Sequence, residues 1–190
     1  MKHQSVSAAV LAVLIGGAAA ARGAEPATPP AGFRAEFIAE VDSVGKKLAD
    51  LAAAEPQEKF AWRPAPGIRS VSEVYMHVVG GNYFLPSFAG AKIPEGIDRG
   101  MEKSVTDKTK VIDMLKKSCE SVKTFAAGMS DADLDKKVKV FGGREMTQRA
   151  LLVLMLNHLH EHLGQSIAYA RMNGIAPPWS ETGEPPAKKS

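Results

Sequence analysis

Apolar residues recur at helical spacing in four stretches of this chain. Phe33, Phe37, Val41, Val44, Leu48 and Leu51 make the first stripe, with Asp42, Lys46, Lys47 and Asp50 on other faces. That period predicts an amphipathic helix of about twenty residues, ending near Ala54 ahead of Pro56. The stretch from Glu58 to Glu73 carries two prolines and a glycine and reads as a loop. Ser70 with Glu73 fits a capping box, so a second helix starts there and runs to about Pro86. Val74, His77, Val78, Gly81 and Leu85 share its inward face. Gly81, one turn after His77, removes a side chain where a metal or ligand would need room.

Residues 88–101 are irregular and contain Gly and Pro. A third helix begins near Thr106 or Asp107, with Val111, Leu115, Val122, Phe125 and Met129 as its buried stripe. Cys119 falls inside it and reads as a small core residue, since no basic group nearby in sequence would lower its thiol pKa. Residues 130–144 form a polar connection in which Val138 to Phe141 can make a brief extended segment. The fourth helix starts near Thr147, a good N-cap, and stops at Asn173-Gly174 before Pro177-Pro178. Its run from Leu151 to Leu156 is apolar all round, which predicts a central helix. Four helices without a series of strands give an all-α four-helix bundle over residues 33–179.

The two ends differ from this pattern. Lys2 and His3 precede an uncharged apolar run, Ala8 to Ala20, with small residues at the cleavage spacing. Residues 1–21 read as a secretory signal peptide, too short for a comfortable membrane span. No cysteine follows for lipid attachment, so the mature protein is expected to be periplasmic or secreted, without stable membrane insertion after cleavage. Residues 22–32 are a Pro/Ala linker and 180–190 a loose polar tail.

Composition narrows the chemistry. The 190 residues argue for one domain, and a hydrophobic content of 45% supplies a core. The net charge of +3 is scattered without a basic tract, which argues against nucleic acid as a partner. A single cysteine excludes an intrachain disulfide and a thiolate metal cluster. Any metal site must therefore use histidine and oxygen.

Three of the five histidines lie in Asn157 to Gln165, NHLHEHLGQ. His158 and His162, four apart, stack on one helix face. His160 is rotated by about 200° from each and should face elsewhere. Two imidazoles at this spacing can chelate a divalent cation, but a third ligand is needed, and His77 is the other histidine inside the folded region. Unpartnered imidazoles on an inward face would be costly. Three of them can make an open site that activates water and polarises an oxygen-bearing substrate. Zinc suits this donor set, and nickel, copper and iron also accept imidazole. Glu73, one turn before His77, and Glu161 are the candidate catalytic carboxylates, either orienting a ligand or acting as general base. The alternatives are a capping-box residue for Glu73 and a solvated helix residue for Glu161. Trp62, Arg69, Asn82 and Tyr83 are candidates for a pocket wall, with Trp62 reading rather as a lid over the core.

Two stretches, FAWRPAPGIRSVSEVYMHVVGGNYF and NHLHEHLGQSIAYARMNGIAPPW, carry a family resemblance. The Trp-x-Pro-x-Pro-Gly-x-Arg-Ser segment, a His seven residues after that Ser, and His-x-x-x-His-x-Gly-Gln with a following Arg and Asn-Gly resemble the DinB family (DinB/YfiT-like bundle metalloenzymes) over residues 33–179. The resemblance implies a divalent metal held by His77, His158 and His162, with Gly164 and Gln165 matching the residues after the last ligand. It implies little about reaction, because the family includes thiol-dependent transferases and isomerases. The export signal argues against a low-molecular-weight thiol cofactor. His158 to His162 also fits His-x-x-Glu-His, the inverted zincin pattern, but only Glu181 and Glu184, in the tail, follow as acidic ligands. The expectation is a metal-dependent hydrolase or transferase acting on a small molecule of unknown identity. A non-catalytic metal- or ligand-binding module and a purely structural bundle are the alternatives. Bundles of this kind often pair, which leaves a homodimer possible, with no exposed stripe to name as its face.

Overall fold

A computed structural model describes residues 30–180. The expected signal peptide, most of the expected linker and the stretch from residue 181 lie outside the described residues. Four long helices carry the fold: α1 (Gly32–Ala54), α2 (Val71–Ser87), α4 (Lys108–Ala127) and α5 (Gln148–Met172). A one-turn helix, α3 (Met101–Ser104), lies between α2 and α4. Strands β1 (Lys137–Lys139) and β2 (Glu145–Thr147) pair antiparallel ahead of α5, so the extended segment has a partner strand. Among the described residues no helix is long and apolar enough to cross a membrane.

The helix starts follow local chemistry. Ser70 accepts from the Glu73 backbone N–H while the Glu73 carboxylate accepts from the Ser70 N–H, closing the capping box. Asp107 caps α4 and Thr147 caps α5, each accepting a backbone N–H through its side chain. α1 and α2 each pack mainly against α4 and α5, so the two histidine-bearing helices, α2 and α5, are direct neighbours.

The core draws on all four. Leu48, Leu51, Tyr75, Met76, Leu115, Leu151, Leu152 and Leu159 are fully buried. The run Leu151 to Leu156 is not buried all round, since Val153 is 43% exposed. α5 packs on α1 and α2 and leaves one flank to solvent. On α4 the buried position near the C-terminus is Ala126, while Phe125 packs half-buried at the edge of the core. Cys119 is a core residue, and burial pushes its thiol up to about 11. Each fully buried Leu of α5 contributes about 2 kcal/mol. Leu151, Leu152 and Leu159 together outweigh the roughly 1–3 kcal/mol that one unpartnered polar group costs the same helix.

Candidate metal centre

His77 on α2 meets His158 and His162 on α5. The ring centroids are 5.1 Å apart for His77 and His158, 4.8 Å for His77 and His162, and 4.6 Å for His158 and His162. One ring nitrogen from each lies within 4.8 Å of one from each of the others. His160 is exposed, as the helical rotation predicts.

Hydrogen bonds decide which nitrogens face inward. His77 Nδ1 lies 3.0 Å from Glu102 Oε2. Burial pushes the Glu102 pKa up, but hydrogen bonds and charge from Arg69 and His77 outweigh it and hold the carboxyl below its usual value. An ionised carboxylate only accepts, so His77 Nδ1 carries a proton and Nε2 is the nitrogen left to face the site. The same reasoning runs through α5. Tyr169 Oη donates to the Arg69 backbone carbonyl at 3.2 Å, and Gln165 Nε2 donates to Tyr169 Oη at 3.1 Å. Gln165 Oε1 is therefore the atom 2.9 Å from His162 Nδ1, and it accepts a hydrogen bond from that N–H. His162 also presents Nε2.

His158 is different. Its Nδ1 is buried and has no hydrogen-bond partner. Burial first, then the neighbouring His162 and His77, push its pKa down to about 4. Burial is also the main reason that the His162 pKa is lowered, with the Gln165 hydrogen bond working the other way. Both rings are neutral at neutral pH, the form that ligates metals. Two oriented Nε2 lone pairs and an orphaned buried nitrogen form a group that can hold a divalent cation, and this donor set fits one.

A sequence profile of the DinB superfamily matches residues 40–166. The chain belongs to the DinB superfamily. Similar folds occur in a DinB-like protein from Bacillus cereus ATCC 10987, with a TM-score of 0.65 and 23% identity over 78% of this chain and 95% of that one. A DinB-like protein from Bacillus subtilis gives a TM-score of 0.58 and 22% identity, covering 74% and 93%. A conserved protein from Enterococcus faecalis gives 0.63 and 15%, covering 75% and 98%. No curated protein matches the sequence.

The other candidate residues of this DinB-superfamily chain are spread out. Glu73 Oε2 accepts from the Ser70 N–H at 2.7 Å and Oε1 from Arg63 at 3.1 Å. Glu161 is exposed on α5, rotated about 100° from His162. Neither lines the cavity of about 760 Å³ that opens beside His77 and His158. Asn82 is buried between α2 and α4, donating to Ser118 at 3.0 Å, and Tyr83 also lies outside the cavity wall. Trp62 packs against the core, edge-on to Tyr169 at 5.4 Å. Gly81 makes room for a protein group: a Cβ there would come within 2.9 Å of His158 Nδ1 and closer still to Cε1.

Sequence reasoning missed Glu102 and half of the role of Arg69. Arg69 lines the cavity, donates to Glu102 Oε1 at 2.7 Å, and offers its backbone carbonyl to Tyr169. One residue thus steadies both the His77 and the His162 side. Asp98, whose side chain accepts from the Gly100 and Met101 N–H groups, starts the short turn that carries Glu102, but it marks only a turn and not a partner for His77.

Proposed function

We propose that this protein is a divalent-metal-dependent hydrolase or transferase, with His77, His158 and His162 as ligands and zinc, nickel or iron as the cation. The observation that carries the reading is the convergence of ring nitrogens from three imidazoles within 4.8 Å of one another, two of the rings being held through Nδ1 so that they present Nε2. A cation so held supplies Lewis acidity to water or another nucleophile and to an oxygen-bearing substrate. The protein's part is positional. Glu102 fixes the His77 tautomer, and the Gln165–Tyr169 chain fixes that of His162. The largely apolar cavity opens beside His77 and His158, where a substrate would lie. The N-terminal targeting pattern would have it work outside the cytoplasm.

One observation favours a second reading, a metal-binding module without turnover. The carboxylates of the cavity wall are engaged: Glu102 with His77 and Arg69, and Asp98 with two backbone amides. No general base stands free among them.

The test is elemental mass spectrometry on the mature chain purified without a His tag. Wild type is expected to carry about one equivalent of metal per chain, lost in both His77→Ala and His158→Ala. A metal-free wild type that also fails to take up added zinc or nickel overturns the metal reading. Metal retention without turnover in a hydrolase and transferase screen selects the binding module.

A further inference from the structure

The cavity beside the imidazoles has walls of two kinds. Met76, Phe84, Ile93, Ile97, Phe141 and Leu154 make most of it apolar. Three of these stay open to solvent, Phe84 at 38%, Ile93 at 42% and Phe141 at 53%. The rings of Phe84, Phe88 and Phe141 cluster with centroids 4.9 to 5.9 Å apart. Exposed large apolar side chains gathered at one opening mark a binding surface. A volume of about 760 Å³ lies within the range that takes a drug-sized molecule.

The charged part of the wall is unevenly matched. It comprises Arg69, Arg99, Lys103, Asp98 and Glu102, an excess of one positive charge. Arg69 is paired with Glu102, and Asp98 is held as the cap of the Gly100 and Met101 amides. Arg99 and Lys103 are exposed and make no ion pair or side-chain hydrogen bond among the described residues. Solvated surface cations are common by themselves. Here two stand on the rim of an apolar cavity, where a partner could be gripped by charge and covered by hydrocarbon at once. A cationic guest would meet an unfavourable potential, and a neutral apolar one would leave both cations unused.

We propose that the cavity binds an amphiphilic organic anion, a carboxylate with an alkyl or aryl body. The body lies among Phe84, Ile93, Ile97 and Phe141, and the carboxylate is held by Arg99 and Lys103. This deepens the metal reading by naming the class of molecule that reaches His77 and His158, and rests on that reading for that point alone.

The test is isothermal titration calorimetry of the mature, tag-free chain with decanoate, decan-1-ol and decyltrimethylammonium, with zinc content measured on the same samples. Decanoate is expected to bind at least about tenfold more tightly than decanol, with the ammonium weakest. This is the factor expected when a charge-assisted contact is added to the same hydrocarbon. Arg99→Glu combined with Lys103→Glu should abolish that preference and leave decanol binding within about twofold. Phe141→Ser combined with Ile93→Ser should weaken both ligands by about tenfold. All four positions are exposed, so the variants are expected to fold, and circular dichroism checks it. Failure of decanoate to bind below about 1 mM, or a preference that survives Arg99→Glu with Lys103→Glu, overturns the proposal. Zinc-free protein, unable to take up zinc, that still binds decanoate with the stated preference would uphold it while the metal reading falls. Zinc-loaded protein indifferent to decanoate would do the reverse.

Discussion

Glu102 reaches His77 from a single helical turn, and its other oxygen is held by Arg69. A carboxylate behind a ligating imidazole fixes the ring and raises its basicity. Glu102→Ala is therefore expected to weaken zinc affinity by about 10–100-fold, read by competition with a metallochromic chelator, with helical content unchanged. Glu102 lies near the middle of an irregular stretch that also holds Glu95, Asp98 and Asp107. One turn has no period, so nothing in the spacing distinguishes Glu102 from them. The histidines were legible because four-residue spacing on a long helix fixes their common face. Arg34 shows the same limit from the other side. It is buried in α1 because its guanidinium meets the Met129 carbonyl and Asp131, partners far along the chain that no local pattern announces.

At the scale of elements, the site depends on how closely α2 approaches α5. Gly81 sets that approach, because the His158 ring occupies the space where a Cβ would go. In Gly81→Ala the helix propensity of α2 gains about 1 kcal/mol, while forced displacement of a packed ring costs about 1–3 kcal/mol. The strain should win. Metal content is expected to fall well below that of wild type while thermal unfolding shifts by only a few degrees. Full metal content in Gly81→Ala would show that the ring has another place to go. Helix starts at Ser70, Asp107 and Thr147 were readable, since capping is written in three or four consecutive residues. The exposed flank of α5 was not: an apolar run says that a helix can be buried, and only its neighbours decide which side is covered. The role of Gly81 was half legible. Its smallness was visible, but its true neighbour belongs to another helix.

For the whole molecule, a buried acid and a buried imidazole pull the response to pH in opposite directions. Glu55, at the end of α1, is 1% exposed, accepts from Tyr75 Oη at 3.0 Å, and is pushed by burial from 4.5 up to about 7. Between those values the folded chain holds a proton that the unfolded chain has lost. The Glu55 contribution to stability therefore falls as pH rises through this window, by about 3 kcal/mol at most, while His158, whose pKa burial lowers from 6.5 to about 4, contributes with the opposite sign over nearly the same range. Urea unfolding at pH 5 and pH 7.5 is expected to show wild type losing stability relative to Glu55→Gln as pH rises, and a difference between the two that does not change with pH would refute the Glu55 contribution. Chain separation has a further consequence. His77 and the His158–His162 pair are brought together only when α2 lies against α5. An unfolded chain retains at most the weak local pair, so a cation that prefers three nitrogens is a ligand of the native state alone and adds to stability by mass action. The supply of a trace element would then govern how long each copy survives, whatever reaction the copy performs.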